Sequence, residues 1–411
     1  MMVDFGEFVR AGDGVWWTQG AAEPVPLVNT LLDQLPRIGP VRAFVGQCWN
    51  PRVTETPPDE LAIVSYGALG DLRHLPTGRL EVVREPWSQL PALFADHRVG
   101  GDVGIVQVSP PDAEGACSFG IGTDYAWDAA QHTKVLIAEV NATLPSTADA
   151  PKLPFERFAA VVRTDRPLLA VAERRPREAD AVISQHIADL VDDGDTIQIG
   201  VGQIPTAVLS RLTGHRDLGV HSGVVTDGIA DLVEQGVITG SRKQIDPGLV
   251  VTCAAMGSHE FYARAAQPPF AFRPVSYTHA SDVLSRLQSL VAINSAVEVD
   301  LAGNVNAEVR GGHYVGAIGG QADFARAAAR GGGRSIIALP SESGGRSTIV
   351  AETGIVSTPG SDIDVVVTEH GTAHLTGCDS AERARRLIAI AAPHHREALA
   401  RSIHPSIRVS V

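Results

Sequence analysis

Between Asp217 and Gly228 the chain reads DLGVHSGVVTDG: an apolar step, then His221-Ser222-Gly223, then a second apolar step closed by Asp227-Gly228. That order suggests a strand entering an active-site turn, yet Gly223 at its centre has no side chain with which to do chemistry. The other stretches able to carry chemistry are also glycine-rich. GVGQIP, from Gly200 to Pro205, follows an apolar strand pattern and opens a helical one. Its backbone amides can approach a phosphate or pantetheine chain, and the helix N-terminus favours negative charge. A dinucleotide fingerprint would need glycine where Pro205 stands, and no G-K-[ST] follows to make a P-loop. A second cluster, GGHYVGAIGGQADF, sets Gly316, Gly319 and Gly320 around an apolar pair. Amides exposed there could form an oxyanion hole, although a tight turn between two core strands explains the same glycines. A third, SGGRSTI, carries Arg346 in a polar loop, where a solvated arginine is the plainer reading.

Nucleophile motifs are missing. There is no G-x-S-x-G elbow, and the 14 histidines are scattered without an H-E-x-x-H or H-x-H pair, His394-His395 falling in a predicted helix. No metal site is expected. Cys48, Cys117, Cys253 and Cys378 lie far apart with no C-x-x-C pair, which marks them as inert thiols rather than zinc ligands or disulfides. Glu298, Glu308 and Glu369 sit in or beside strands, where structural hydrogen bonding is the expected role. The net charge of −13 argues against nucleic acid as a partner. An anionic cofactor would have to be held by backbone N–H groups and local arginines. Apolar runs fall well short of the roughly 20 residues needed to span a bilayer, and MMVDFGEFVR has no signal-peptide hydrophobic region, so a cytoplasmic protein is expected.

The elements that position these residues are written twice. Gly12-Asp13 opens an extended step, a glycine loop, a proline and an amphipathic helix pattern, and Gly194-Asp195 opens the same order of parts. The runs RAFVGQCW and LGVHSGVV follow, then LAIVSYGALG and GLVVTCAAMGSH. VQVSPPDAEGACS and AVEVDLAGNVN both read as β-hairpins, with Asp112, Gly115 and Ser118 spaced like Asp300, Gly303 and Asn306. KVLIAEVN and RSIIALPS then close each half. Short Val/Ile-rich strands alternating with helical patterns indicate two related open α/β sheets with helices on both faces. The Arg- and Pro-rich segment VVRTDRPLLAVAERRPREAD is the expected linker, giving domains 1–175 and 176–411. SAERARRLIAIAAPHHREALARS reads as a helix pair broken at Pro393.

Taken together, DYAWDAAQHTKVLIAEVNATLP, GDTIQIGVGQIPTAVL, VAINSAVEVDLAGNVNAE, GAIGGQADFARAA, GGRSTIV and DVVVTEHGTAHLTG resemble the acetyl-CoA hydrolase/transferase family, class I CoA-transferases of the NagB/RpiA-like α/β type. The resemblance runs from about Gly12 to Leu399. It implies two related domains with an acyl-CoA site between them, coenzyme A as part of the substrate, and a homodimer. It further implies that Gly200, Val201, Gly202, Gln203, Ile204, Gly316 and Gly320 contact CoA, while amides near Gly319 and Gly320 steady the thioester oxyanion.

The family's mechanism also needs a glutamate that becomes an acyl anhydride and then a glutamyl-CoA thioester. The position aligned with it is Gly223, which cannot form either intermediate. Thioester hydrolysis, direct attack by an acceptor, CoA transfer through a substitute nucleophile, thioester-dependent C–C chemistry, and silent acyl-CoA binding all remain open at this point. His221, His259, Glu260 and His313 are the nearest candidates for a base. A double NAD(P)-binding protein is disfavoured, because the fingerprint is absent.

Overall fold

The computed structural model describes residues 3–147, 149–171 and 175–402. They form two compact units. The first comprises the described residues up to Val171 together with Val251–Ala280 and His313–Gly319, and the second comprises the remainder.

Seven strands make the sheet of the first unit, in the spatial order Leu80–Val82, Leu61–Ser65, Val41–Phe44, Gly14–Trp17, Val103–Val108, Val135–Asn141 and Phe158–Thr164. Every pairing is parallel. Successive side chains point to opposite faces, so Val15 and Trp17 join one core cluster while Trp16 joins another. That double burial explains why the strands read as continuous apolar runs. Helix Val25–Ile38 buries Leu27, Val28, Leu31, Leu32 and Leu35 at helical spacing and stops at Gly39, whose φ of 106° suits glycine. Truncating a fully buried leucine such as Leu31 to alanine would cost roughly 2–5 kcal/mol.

The sheet of the second unit runs Gly219–Val225, Thr196–Ile199, Leu290–Ser295, Arg334–Ala338 and Val365–Thr368, with Gly371–His374 added antiparallel at the end. Register shows how closely the two sheets agree. Val15 pairs with Ala43 and Val103, and Val103 pairs with Val135. Ile197, at the same offset from its Gly-Asp, pairs with Val220 and Val291, and Val291 pairs with Arg334. Extending the register makes Gly46 the counterpart of Gly223.

The matched turns agree atom for atom. Asp112 Oδ1 accepts from Glu114 N and Ala116 N at 3.1 and 2.9 Å, and Asp300 Oδ1 accepts from Ala302 N and Asn304 N at 2.9 Å each. Gly115 and Gly303 both take the left-handed φ that such a turn requires, 78° and 86°. Two sheets sharing strand order, register and a capped turn are one unit present twice.

Two local expectations change. His221-Ser222-Gly223 is not a turn: Gly219–Val225 is one seven-residue strand, because the β-branched pair Val224-Val225 carries the extended chain on to Thr226. His394-His395 lie in a single 3-10 turn, Pro393–His395, between helices Ser380–Ile390 and Arg396–Arg401. The proline ends the first helix, and the last helix begins only after the histidines. Of the expected linker, residues 172–174 lie outside the described residues.

Candidate active site

In an open parallel sheet the chain leaves adjacent strands in opposite directions at one place, and the crevice beyond their C-terminal ends is where ligands bind. In the second unit that place lies between Thr196–Ile199 and Leu290–Ser295. The central strand ends in Gly200-Val201-Gly202, and Gly202, with φ of 126°, caps helix Gln203–Arg211. A β-carbon added at Gly200 would meet none of the described residues within 4 Å, and Val201 is 43% exposed. The loop therefore presents bare amides above the sheet edge, ahead of a helix N-terminus. Gln203 is anchored through its amide to Arg175 O at 2.7 Å, and Ile204 is buried beneath the loop.

Gly223 belongs to the neighbouring strand. The Ser222 hydroxyl donates to Ile199 O at 3.0 Å, which ties this strand to the end of the central one. Extended backbone suits any residue, so the absence of a side chain at Gly223 is not imposed by backbone conformation. His221 is fully buried with its ring edge-on to Phe324, centroids 6.4 Å apart. Helix Asp227–Glu234 follows, and Gly228 lets it approach helix Gln203–Arg211, since a β-carbon there would sit 3.0 Å from Leu209 Cδ1. The second unit thus collects Gly223, the Gly200–Ile204 loop and the helices that follow both strands.

The second glycine cluster is divided between the units. Gly316 and Gly319 belong to the first, where Gly316 O accepts from Ala68 N and Gly319 O accepts from Trp87 N, each at 2.9 Å. Gly319 has φ of 56° and space for a β-carbon, so its conformation, not crowding, favours glycine. Gly320 belongs to the second unit and caps helix Gln321–Arg330. The stretch enters a helix; it does not turn between two core strands. Among the candidate bases, His259 and Glu260 open helix His259–Ala265 of the first unit, and His313 is an exposed residue of that unit.

Two polar residues escaped the motif reading. Gln198 and Asn294 lie at the ends of the two strands that flank the crevice. Their amides form a reciprocal pair, Gln198 Nε2 to Asn294 Oδ1 at 3.2 Å and Asn294 Nδ2 to Gln198 Oε1 at 2.9 Å. Each is the lone amide residue of its short, mostly apolar run, TIQI and VAIN. That interruption was the available signal, since a buried amide must find a partner.

The acids are held structurally. Glu298 Oε1 accepts from Asn306 and Thr353, Glu308 Oε1 from Ser357, and Glu369 from both the backbone and hydroxyl of Ser341. Glu298 also borders a cavity of about 540 Å³ that includes Arg310 and Arg346, so Arg346 faces a concave polar surface as well as solvent. Burial pushes the thiols of Cys48 and Cys253 well above their ordinary value and that of Cys117 up to about 11, which keeps all three protonated at neutral pH.

Comparison with known proteins agrees with this architecture. Residues 257–403 match the acetyl-CoA hydrolase/transferase C-terminal domain. The 4-hydroxybutyrate coenzyme A transferase of Clostridium kluyveri is 38% identical over 330 residues, covering 79% of this chain and 77% of that protein. The succinyl-CoA:acetate/propanoyl-CoA:succinate CoA transferase of Fasciola hepatica is 32% identical over 414 residues, covering 98% and 87%. The crystal structure of RipA from Yersinia pestis has a TM-score of 0.89 at 32% identity, covering 97% of this chain and 94% of that one. Shared fold and sequence over nearly the whole chain lead to one conclusion: this chain belongs to the acetyl-CoA hydrolase/transferase family and is an acyl-CoA-processing enzyme of it.

Proposed function

We propose that this enzyme acts on an acyl-CoA thioester without a glutamyl-CoA intermediate, by hydrolysis or by direct attack of an acceptor such as a carboxylate. The observation that carries the reading is Gly223, a glycine in unstrained extended backbone beside the crevice of the second unit, at the position that the family resemblance aligns with the mechanism's carboxylate. With no nucleophile of the chain's own, the new bond runs from the acceptor oxygen to the acyl carbon. The C–S bond breaks, and the CoA sulfur leaves as thiolate or takes the proton that the acceptor gives up. In this reading Gly200, Val201, Gly202, Gln203 and Ile204, with Gly316 and Gly320, hold CoA through backbone amides. Gly319 and Gly320 aim theirs at the developing oxyanion. The halves 1–175 and 176–411 are the two copies of a duplicated domain, and the working form is a cytoplasmic homodimer.

Two measurements test the reading. Intact mass after incubation with a panel of acyl-CoAs should show no CoA adduct while thiol release or acyl transfer proceeds; a chain carrying CoA would overturn it. Gly223→Glu should then acquire acetate-dependent CoA transfer, from none to a rate readily detected. A variant that binds acyl-CoA by calorimetry yet transfers nothing would show that the site has diverged beyond its nucleophile.

A further inference from the structure

His394 and His395 were set aside above as helix residues, yet the fold brings them to a carboxylate 52 residues away. His394 Nε2 lies 2.8 Å from Glu342 Oε2, and His395 Nε2 lies 3.3 Å from the same oxygen. The potential ligand atoms of the three residues all fall within 4.8 Å of one another. We propose that Glu342, His394 and His395 form a divalent transition-metal site with Zn²⁺-type preference, separate from the acyl-CoA crevice.

Two imidazoles and one carboxylate are a donor set suited to Zn²⁺ and its neighbours and unsuited to Mg²⁺ or Ca²⁺, which prefer oxygen alone. Bonds of about 2.0–2.1 Å at tetrahedral angles place ligand atoms about 3.3 Å apart. The His395 contact at 3.3 Å already meets that spacing, whereas the His394 contact at 2.8 Å is shorter. The adjustment falls on His394, whose side chain is 64% exposed and can move outward.

A second observation comes from His395. Its Nε2 is shut off from solvent and, among the described residues, makes no hydrogen bond, only a 3.3 Å contact with Glu342 Oε2. A buried ring nitrogen in that position lacks the partner that a metal would supply. Glu342 is steadied from behind, because the preceding residue, Ser341, donates its backbone N–H and hydroxyl to Glu369 at 2.8 and 2.7 Å. Exposure on one side leaves room for water as the fourth ligand. The bound metal would clamp the strand Glu342–Ser343 to the Pro393 turn, a structural tie at the C-terminal helices.

The test uses tag-free, chelator-stripped protein titrated with Zn²⁺ by calorimetry and with Co²⁺ by visible absorption. Saturable binding at one site per chain is expected, with a tetrahedral Co²⁺ spectrum and a higher Tm in Zn²⁺. Glu342→Gln and His395→Ala should each weaken binding by more than about tenfold and abolish the Tm increase. The near-isosteric Glu342→Gln guards against a folding artefact. Absence of saturable binding, or binding and Tm that both variants leave unchanged, would overturn the proposal.

Discussion

The two units repeat one sheet but finish its crevice in opposite ways. In the first, the ends of strands Gly14–Trp17 and Val103–Val108 are filled by the chain's own polar groups. Thr18 Oγ1 donates to Ala22 O and accepts from Gln107 N, the Gln107 amide donates to Glu23 O, and Asn141 donates to Gln107 Oε1. Arg166 grips Glu139 through Nε and Nη2 at 2.7 and 3.0 Å and also donates to Glu23 O. Gln19 accepts from Tyr66 OH and Gln47 N, so a β-carbon on Gly46 would lie 2.0 Å from its Oε1.

In the second unit the positions matching Thr18, Gln19 and Gly20 are Gly200, Val201 and Gly202, and the position matching Gln107 is Ser295, which is exposed. One glycine, Gly46, is required because a side chain already occupies its space. Gly200 lies in space that none of the described residues fills. Duplication preserved the backbone, while side chains made one crevice a packed polar core and left the loop at the other bare and partly exposed.

The largest test of this contrast concerns Glu23. Burial raises its carboxyl from 4.5 to about 7, against opposing hydrogen bonds from Cys48 and Trp49 and the charge of Arg166. Because the folded value lies above the unfolded one, its favourable contribution is complete below pH 4.5 and is lost as pH rises through about 7. The loss is on the order of 3 kcal/mol. Glu23→Gln should remove most of that slope in urea unfolding measured from pH 5 to 8. An unchanged slope would mean the filled crevice is not a dry core.

Gly46→Ala should cost about 2 kcal/mol and lower Tm, because Gln19 must leave two hydrogen bonds to admit a methyl group. Gly202→Val should weaken acyl-CoA binding by roughly 1–2 kcal/mol, about tenfold, because a β-branched residue resists a φ of 126° and the loop would shift. Calorimetry at matched salt checks it. Smallest of all, Gly200→Ala should change unfolding free energy by less than about 0.5 kcal/mol, since its β-carbon enters open space. A cost equal to that of Gly46→Ala would erase the distinction between the crevices.

Much of the fold was legible because its signals are local. The Val/Ile runs, the Gly202-Gln203 helix start and the Asp112 and Asp300 turns each follow from residues a few positions apart. Gly223 could be singled out for the same reason, although the β-branched Val224-Val225 make its surroundings a strand where a turn was expected. The Gln198–Asn294 pair and the Glu342–His394–His395 cluster were not legible as sites. Their members meet only through parallel strand pairing and chain reversal across 96 and 52 residues.

The sequence by itself determined the α/β class, the duplication, the family resemblance and the glycine at position 223, because strand periodicity, turn chemistry and side-chain identity are written residue by residue. Only the tertiary structure decided which crevice is filled and which glycines are crowded or free. It also decided where the two histidines of an apparent helix end point. Those outcomes depend on distances between residues far apart in the chain, and burial and hydrogen-bond partnership are properties of the packed fold.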